Sequence, residues 1–93
     1  MQNDSPHSAL GFLGPSLRRH RLSKGFTQAA LAEQLGSYQH YIHYLEHGHR
    51  TPSFGMFERI CTTLGVAMSD VLLLAERMAR ESGFGEIDPA DEV

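Results

Sequence analysis

Apolar residues recur at helical spacing along most of the chain, and glycines interrupt the pattern at short intervals. Leu31, Ala32 and Leu35, for example, form a stripe along one side of a short segment, as on a half-buried helix. No stretch alternates apolar and polar residues with the period of two that predicts a β-strand. The predicted helices cover residues 15–24, 28–35, 38–47, 53–64 and 70–80. The pattern therefore predicts an all-α fold of five short helices.

Residues at the predicted helix ends support these boundaries. Pro15 suits a first helical turn, where its missing N–H is not needed. The hydroxyl of Thr27 can cap the second helix by accepting a hydrogen bond from a free backbone N–H. Apolar residues on the later helices are expected to face the core. These are Ile42, Leu45, Phe54, Phe57, Ile60, Cys61, Leu64, Val71, Leu72, Ala75 and Met78.

The chain divides into three parts by composition. Residues 1–12 are mostly polar and are expected to form a flexible lead-in. Residues 13–80 hold the helical pattern and are expected to form one compact domain. Residues 81–93 combine Gly83, Gly85 and Pro89 with several acids, which predicts a flexible acidic tail.

Composition narrows the class of protein. Hydrophobic residues make up 41% of the 93 residues, which suffices for one packed core. The longest apolar run, Val71 to Ala75, is too short to cross a bilayer, and residues 1–14 lack a secretory pattern. With Cys61 as the single cysteine, an internal disulfide is excluded, and a cytoplasmic location is expected.

Charge is distributed unevenly along the chain. The net charge is −3, yet residues 15–52 carry five basic residues against two acidic ones, and five of the six histidines. Residues 53–93 carry three basic residues against eight acidic ones. Such a polarised chain can present one face to phosphates and turn another away from them. This uneven distribution of charge favours a nucleic-acid partner despite the net charge of −3.

Residues 25–48 carry the motif that indicates a function. They read GFTQAALAEQLGSYQHYIHYLEHG, which is two short helices joined by a tight turn at Gly36 and Ser37. The small side chain of Ala32 lets the two helices approach closely, and Ile42 and Leu45 anchor the second helix to the core. This is the pattern of a helix-turn-helix unit, whose second helix enters the major groove of DNA.

At this point the chain resembles the phage-repressor and Cro-like helix-turn-helix family, also called the Xre family. The resemblance covers about Leu13 to Leu74 and rests on LGPSLRRHR, KGFTQAALAEQLG, YIHYLEHG, RTPSF and LGVAMSDVLL. It implies a compact, five-helix, lambda-repressor-like domain in a DNA-binding regulator without a cofactor. No cluster of nucleophile, base and orienting residue is visible, so an enzyme is not expected.

The resemblance also implies which side chains meet DNA. The residues expected to read base edges are Tyr38, Gln39, His40 and His43. Gln39 is the first choice among them, because its amide can donate and accept together at an adenine edge. The residues expected to contact phosphates or the sugar-phosphate wall are Gln28, Ser37, Tyr44, His49 and Arg50.

Arg21 and Glu46 match positions that form a structural ion pair in the family. Two other positions depart from its pattern. His20 occupies an aliphatic position, so either the first helix is tilted or His20 packs against another polar group. Tyr38 replaces the usual serine or threonine cap of the third helix, and Ser37 is expected to cap it instead.

The histidines also allow a metal hypothesis. His40, His43 and His47 are spaced so that they share one helical face, and zinc accepts such imidazoles. Without a second cluster of ligands, a polar surface facing the groove is the favoured interpretation, and no metal site is predicted.

The fifth helix carries more apolar residues than the core requires. The additional ones, Leu73, Leu74 and Met78, are expected to form a homodimer interface. A twofold dimer predicts a palindromic operator. The sequence thus predicts a sequence-specific transcription regulator, a repressor or operon controller of bacterial or phage origin. The alternative is an antitoxin-like interaction module whose acidic tail binds a protein partner.

Overall fold

The computed structural model describes residues 8–84, and their side chains as far as residue 82. Within this range the chain forms five α-helices and one short 3₁₀ helix, without a β-strand. The α-helices are α1 (Leu13–Ser23), α2 (Gln28–Leu35), α3 (Gln39–Glu46), α4 (Phe54–Leu64) and α5 (Met68–Phe84). The prediction of an all-α, five-helix fold is confirmed. No helix in residues 8–84 has both the length and the apolar character needed to cross a membrane.

Helix ends follow the local chemistry of the sequence. The Thr27 hydroxyl accepts a hydrogen bond from the Ala30 N–H at 2.9 Å and caps α2, as predicted. Ser53 caps α4 in the same way, accepting from the Met56 N–H at 3.0 Å. Gly36 ends α2 with a φ of +69°, in the left-handed conformation that favours glycine. These caps satisfy backbone groups that a short helix would otherwise leave unpaired.

A single hydrophobic core joins the five helices. α1 packs against α3 and α5, while α2 packs against α3 and α4. The core residues are apolar side chains that are almost fully shielded from solvent. They are Leu13, Leu17, Leu31, Ala32, Leu35, Ile42, Leu45, Phe57, Ile60, Cys61, Leu64 and Val71.

Two contacts hold α1 against the rest of the core. Gly14 lies so close to α3 that a Cβ atom there would be only 1.9 Å from the Leu45 carbonyl oxygen. On the same helix, the buried Ser16 hydroxyl donates to the Val71 carbonyl oxygen of α5 at 2.7 Å. Residues with small side chains therefore fix the position of α1 relative to α3 and α5.

Two predicted core residues face solvent. Phe54 is 75% exposed at the first position of α4, and its ring lies 6.5 Å from the buried ring of Phe57 between centroids. Leu72 is 42% exposed, because the buried stripe of α5 runs through Val71, Ala75 and Ala79. Residue 72 is rotated about 100° away from that stripe. Both predictions of an inward position were wrong.

His20 is half-buried on α1, and its Nε2 is shielded from solvent without a hydrogen-bond partner among the described residues. Of the two alternatives for His20, a tilted first helix or contact with another polar group, a hydrogen bond from Nε2 to such a group is not formed among the described residues. An imidazole nitrogen that is buried without a partner loses its hydrogen bond to water on folding and forms none within the protein.

Both predicted domain boundaries differ from the observed ends of helical structure. Residues 9–12, assigned to the flexible lead-in, form the 3₁₀ helix, which packs against α5 and is capped by the Ser8 hydroxyl. At the other end, α5 continues to Phe84, because Glu81 and Ser82 permit helix and no proline intervenes. The first seven residues and residues 85–93 lie outside the described range, as does the partner role suggested for the acidic tail.

Candidate nucleic-acid interface

The turn between α2 and α3 determines how α3 projects from the domain. After Gly36, the Ser37 N–H donates to the Ala32 carbonyl oxygen at 2.9 Å and closes the end of α2. α3 then begins with Tyr38 at its cap position, and no side chain makes a capping hydrogen bond there. The expectation that Ser37 caps α3 is wrong, because Ser37 belongs to the turn. The first N–H groups of α3 are left free to meet a ligand.

A buried ion pair connects α1 to the end of α3. Arg21 Nε donates to Glu46 Oε2 at 2.6 Å and Nη2 donates to Oε1 at 3.0 Å, so the contact is bidentate. Nη1 donates to the Phe26 carbonyl oxygen at 2.7 Å. Both residues are 5% exposed. The two residues expected to pair for structural reasons therefore lie in the interior, where neither charge can contact DNA directly.

A chain of hydrogen bonds leads from this ion pair to the surface. The Gln28 amide nitrogen donates to Glu46 Oε1 at 3.0 Å, which leaves its carbonyl oxygen facing outward. That oxygen lies 3.5 Å from the Gln39 amide nitrogen, at the limit of a hydrogen bond. Gln28 was expected to contact phosphate, and the structure adds a second role. It joins the buried carboxylate to the exposed amide that heads α3.

The residues expected to read bases are brought together. Tyr38, Gln39, His40 and His43 line one shallow groove with Gln28. Tyr38, Gln39, His40 and His43 are all exposed, and Tyr38 reaches 70% exposure. Since Glu46, the only acidic residue of α3, is buried, this surface presents amides, imidazoles and a phenol without a free carboxylate. Such a surface can approach the acceptor-rich edges of base pairs.

Ring contacts organise the exposed side of α3. The Tyr38 and His40 rings are stacked with their centroids 5.6 Å apart, and the His40 and Tyr44 rings meet edge to face at 5.9 Å. Tyr44 in turn meets His49 edge to face at 6.0 Å. Aromatic pairs at these separations attract one another. Ring contacts therefore link Tyr38, His40, Tyr44 and His49 in one row.

The remaining phosphate candidates lie at the ends of α3. Ser37 is in the turn before the helix, and His49 is in the loop after it, where its N–H donates to the Tyr44 carbonyl oxygen at 2.9 Å. The Arg50 guanidinium lies 5.9 Å from the centre of the Tyr41 ring, within the range of a cation–π contact. Sequence reasoning missed Tyr41, because nothing in the sequence pairs it with Arg50.

The residues expected to form a dimer interface lie on α5 and do not line this groove. Leu73 is 61% exposed, whereas Leu74 and Met78 are half-buried. Met78 borders a separate groove with Leu22 and Arg19 of α1. The groove at Met78 also includes His47, the residue that follows α3.

The fold and this face define the class of protein. Residues 13–74 match the family of helix-turn-helix domains. The match covers more than half of the chain, so the chain belongs to this family, and the resemblance to the Cro and Xre type is confirmed. The family is one of DNA-binding regulators and not of enzymes, so the chain is not an enzyme.

Individual relatives support this assignment to the helix-turn-helix family. The transcriptional regulator ClgR of Mycobacterium tuberculosis is 34% identical over 79 residues, which cover 84% of this chain and 70% of ClgR. The crystal structure of the clp gene regulator ClgR from Corynebacterium glutamicum matches with a TM-score of 0.77 and 31% identity, covering 81% of this chain and 80% of that one. The restriction-modification controller protein C.AhdI from Aeromonas hydrophila matches with a TM-score of 0.65 and 28% identity, covering 74% and 99%.

Proposed function

We propose that this protein is a transcription regulator that binds double-stranded DNA of defined sequence, with α3 in the major groove. The observation that carries the proposal is the position of Gln39. It is exposed at the first turn of α3, and its amide lies next to a glutamine held by a buried carboxylate. An amide in this position can pair with the donor and acceptor of an adenine edge together.

Contacts to the DNA backbone would accompany the recognition of bases by α3. The free N–H groups at the start of α2 can face one phosphate, because a helix N-terminus favours an anion. From the Gln28 side chain, only the amide N–H that is not bonded to Glu46 can donate to that phosphate. Arg50 and His49 can meet the backbone beyond the other end of α3. Phosphate contacts of this kind set the register of a protein on DNA, and the groove residues then supply the discrimination between sequences.

The protein would bind as a homodimer. Leu72 and Leu73 expose apolar side chains on α5, at 42% and 61%, and a second copy would shield them from water. In a twofold dimer the two α3 helices would contact half-sites separated by about 34 Å, or one turn of DNA. The operator would therefore be palindromic. We place the protein in the cytoplasm as a repressor or controller of an operon, in line with its likeness to a restriction-modification controller protein.

A selection from random duplex DNA tests the proposal. The full chain is incubated with the pool at low salt, and the bound DNA is sequenced after several rounds. A palindrome enriched by the wild type and relaxed in Gln39→Ala/His40→Ala supports base reading by α3. Gln34→Ala serves as the matched control, because Gln34 is an exposed glutamine on α2 outside the groove. Failure of the wild type to enrich any sequence would refute the proposal.

The dimer is tested separately by sedimentation of the wild type and Leu73→Lys. A charge at an exposed leucine in a monomer has little effect, whereas in a twofold interface it is repeated and buried. We expect the variant to sediment as a monomer at concentrations where the wild type is a dimer. A wild-type monomer at tens of micromolar would contradict this part of the proposal.

A further inference from the structure

Two exposed histidines meet at the end of α3. His43 lies on α3 and His47 is its C-cap residue, so the two are one helical turn apart on the same face. Their ring centroids are 4.0 Å apart and the ring planes are inclined by 34°. Two exposed imidazoles this close together can each bring one nitrogen to a single ligand by rotation of their side chains.

The hydrogen bond of His47 determines which of its nitrogens is available. His47 Nδ1 lies 2.9 Å from the His43 backbone carbonyl oxygen. Because a carbonyl oxygen can only accept, Nδ1 carries the hydrogen and donates it. The lone pair of the neutral ring is then on Nε2. Histidines that bind metals are held in this way, with one ring nitrogen donating to a carbonyl or carboxylate while the other binds the ion.

The charges around His47 also influence which kind of ligand can bind there. The C-terminal end of a helix carries partial negative charge, which favours a cation beside His47. Arg18 and Arg19 border a groove that includes His47, and their charges oppose a cation there. Both arginines are exposed, so water and salt screen this repulsion. One divalent ion bound by both rings would engage a lone pair from each of them.

We infer that His43 and His47 form a two-imidazole site for a divalent transition-metal ion of the copper, nickel and zinc class. These ions accept imidazole nitrogen, whereas Mg²⁺ and Ca²⁺ prefer oxygen ligands. Within residues 8–84, no group of three or more imidazole, thiolate or carboxylate side chains is arranged to hold a metal ion. The ion therefore keeps positions for water or for an external ligand, unlike an ion in a closed structural site.

Isothermal titration calorimetry with Cu²⁺ or Zn²⁺ alone tests this site on the full chain. We expect one ion per chain, with Cu²⁺ bound more tightly than Zn²⁺ and Mg²⁺ without effect. His43→Ala and His47→Ala should each weaken binding at least about tenfold. His40→Ala is the matched control, because it removes an exposed imidazole from the same helix and leaves the pair intact. Unchanged binding in His43→Ala and His47→Ala, or an equal loss in His40→Ala, would overturn the proposal.

Two further measurements distinguish loss of the metal site from loss of folding in the variants. All three positions are exposed, so circular dichroism should show the same helix content in each variant. An ion that binds only the folded chain also raises the midpoint of thermal unfolding. Saturating Zn²⁺ should raise it in the wild type and His40→Ala but not in His47→Ala. An equal rise in His47→Ala would place the ion elsewhere and refute the site.

A consequence for DNA binding rests on the proposed function. His43 also lines the groove with Gln39, so the same ring cannot bind an ion and a base edge together. Zn²⁺ should then weaken binding of the selected operator by the wild type and leave His47→Ala unaffected. If no operator exists, the calorimetric result stands alone, which separates failure of the metal site from failure of the proposed function.

Discussion

The side-chain amide of Gln28 donates to the carboxylate of Glu46 at 3.0 Å. One residue is the first of α2, and the other is the last of α3. Because Glu46 is held by Arg21 on its other side, a polar residue at the surface is linked to a charge pair in the interior. The helix-turn-helix unit is therefore held together by polar contacts as well as by the apolar core.

The first prediction concerns this ion pair. Arg21→Met should lower the free energy of unfolding by about 3–5 kcal/mol, since it leaves the Glu46 carboxylate buried without its counter-ion. The double variant Arg21→Met/Glu46→Leu should recover much of that loss, because it removes both charges. Urea unfolding followed by circular dichroism measures both values. A loss below about 1 kcal/mol in the single variant, the range of an exposed pair, would contradict the prediction.

The second prediction concerns the coupling of Gln28 to Gln39 in DNA binding. Gln39→Ala should weaken binding of the selected operator by about 1–3 kcal/mol, the usual value of one amide contact to adenine. Gln28→Ala should also weaken it, by freeing the Gln39 amide. The double variant should lose less than the sum of the two, by about 0.5 kcal/mol or more. Strict additivity, measured by fluorescence anisotropy beside Gln34→Ala, would show that the two glutamines act independently.

The third prediction compares two glycines in helices. Gly14→Ala should destabilise the fold by at least about 1–3 kcal/mol, because its Cβ would overlap the Leu45 carbonyl oxygen at 1.9 Å. Gly55→Ala on α4 has no atom within 4 Å of the new Cβ. It should instead stabilise the protein by about 0.4–1 kcal/mol, since alanine restricts the unfolded chain. Thermal unfolding of the two variants should therefore shift in opposite directions, and shifts of the same sign would be inconsistent with this packing.

The fourth prediction concerns Cys61. Burial in the core raises the pKa of its thiol from 9.0 to about 11. The thiol should therefore react slowly with iodoacetamide at pH 8 in the native protein and quickly in urea. Because the folded pKa exceeds the unfolded one, the contribution to stability is complete below pH 9 and is lost as the pH rises towards 11.

Cys61→Ala provides the control for that pH dependence. It should remove the part of the decline in stability between pH 9 and pH 11 that comes from the thiol. Rapid labelling of native wild-type protein at pH 8 would instead indicate that α4 opens readily, and it would contradict the buried position of Cys61.

Local chemistry explains which features of the fold could be predicted from the sequence. The Thr27 cap and the Gly36 stop were predictable because a hydroxyl and a left-handed glycine act on backbone groups within a few residues. The family resemblance pointed to Arg21 with Glu46 and to the groove residues of α3. Phe54 and Leu72 were misplaced because apolar character alone does not decide which side of a helix is covered.

The sequence by itself determined the all-α class, the order of the helices and the helix-turn-helix unit, since these depend on period, caps and turns. Apart from the Arg21–Glu46 pair, which the family resemblance pointed to, tertiary structure alone decided the contacts between distant segments. Ser16 meets Val71 across 55 positions, Gln28 meets Glu46 across 18, and Arg50 meets Tyr41 across a helix end. Such pairs form because core packing fixes the angles between helices, and no local signal in the chain encodes those angles.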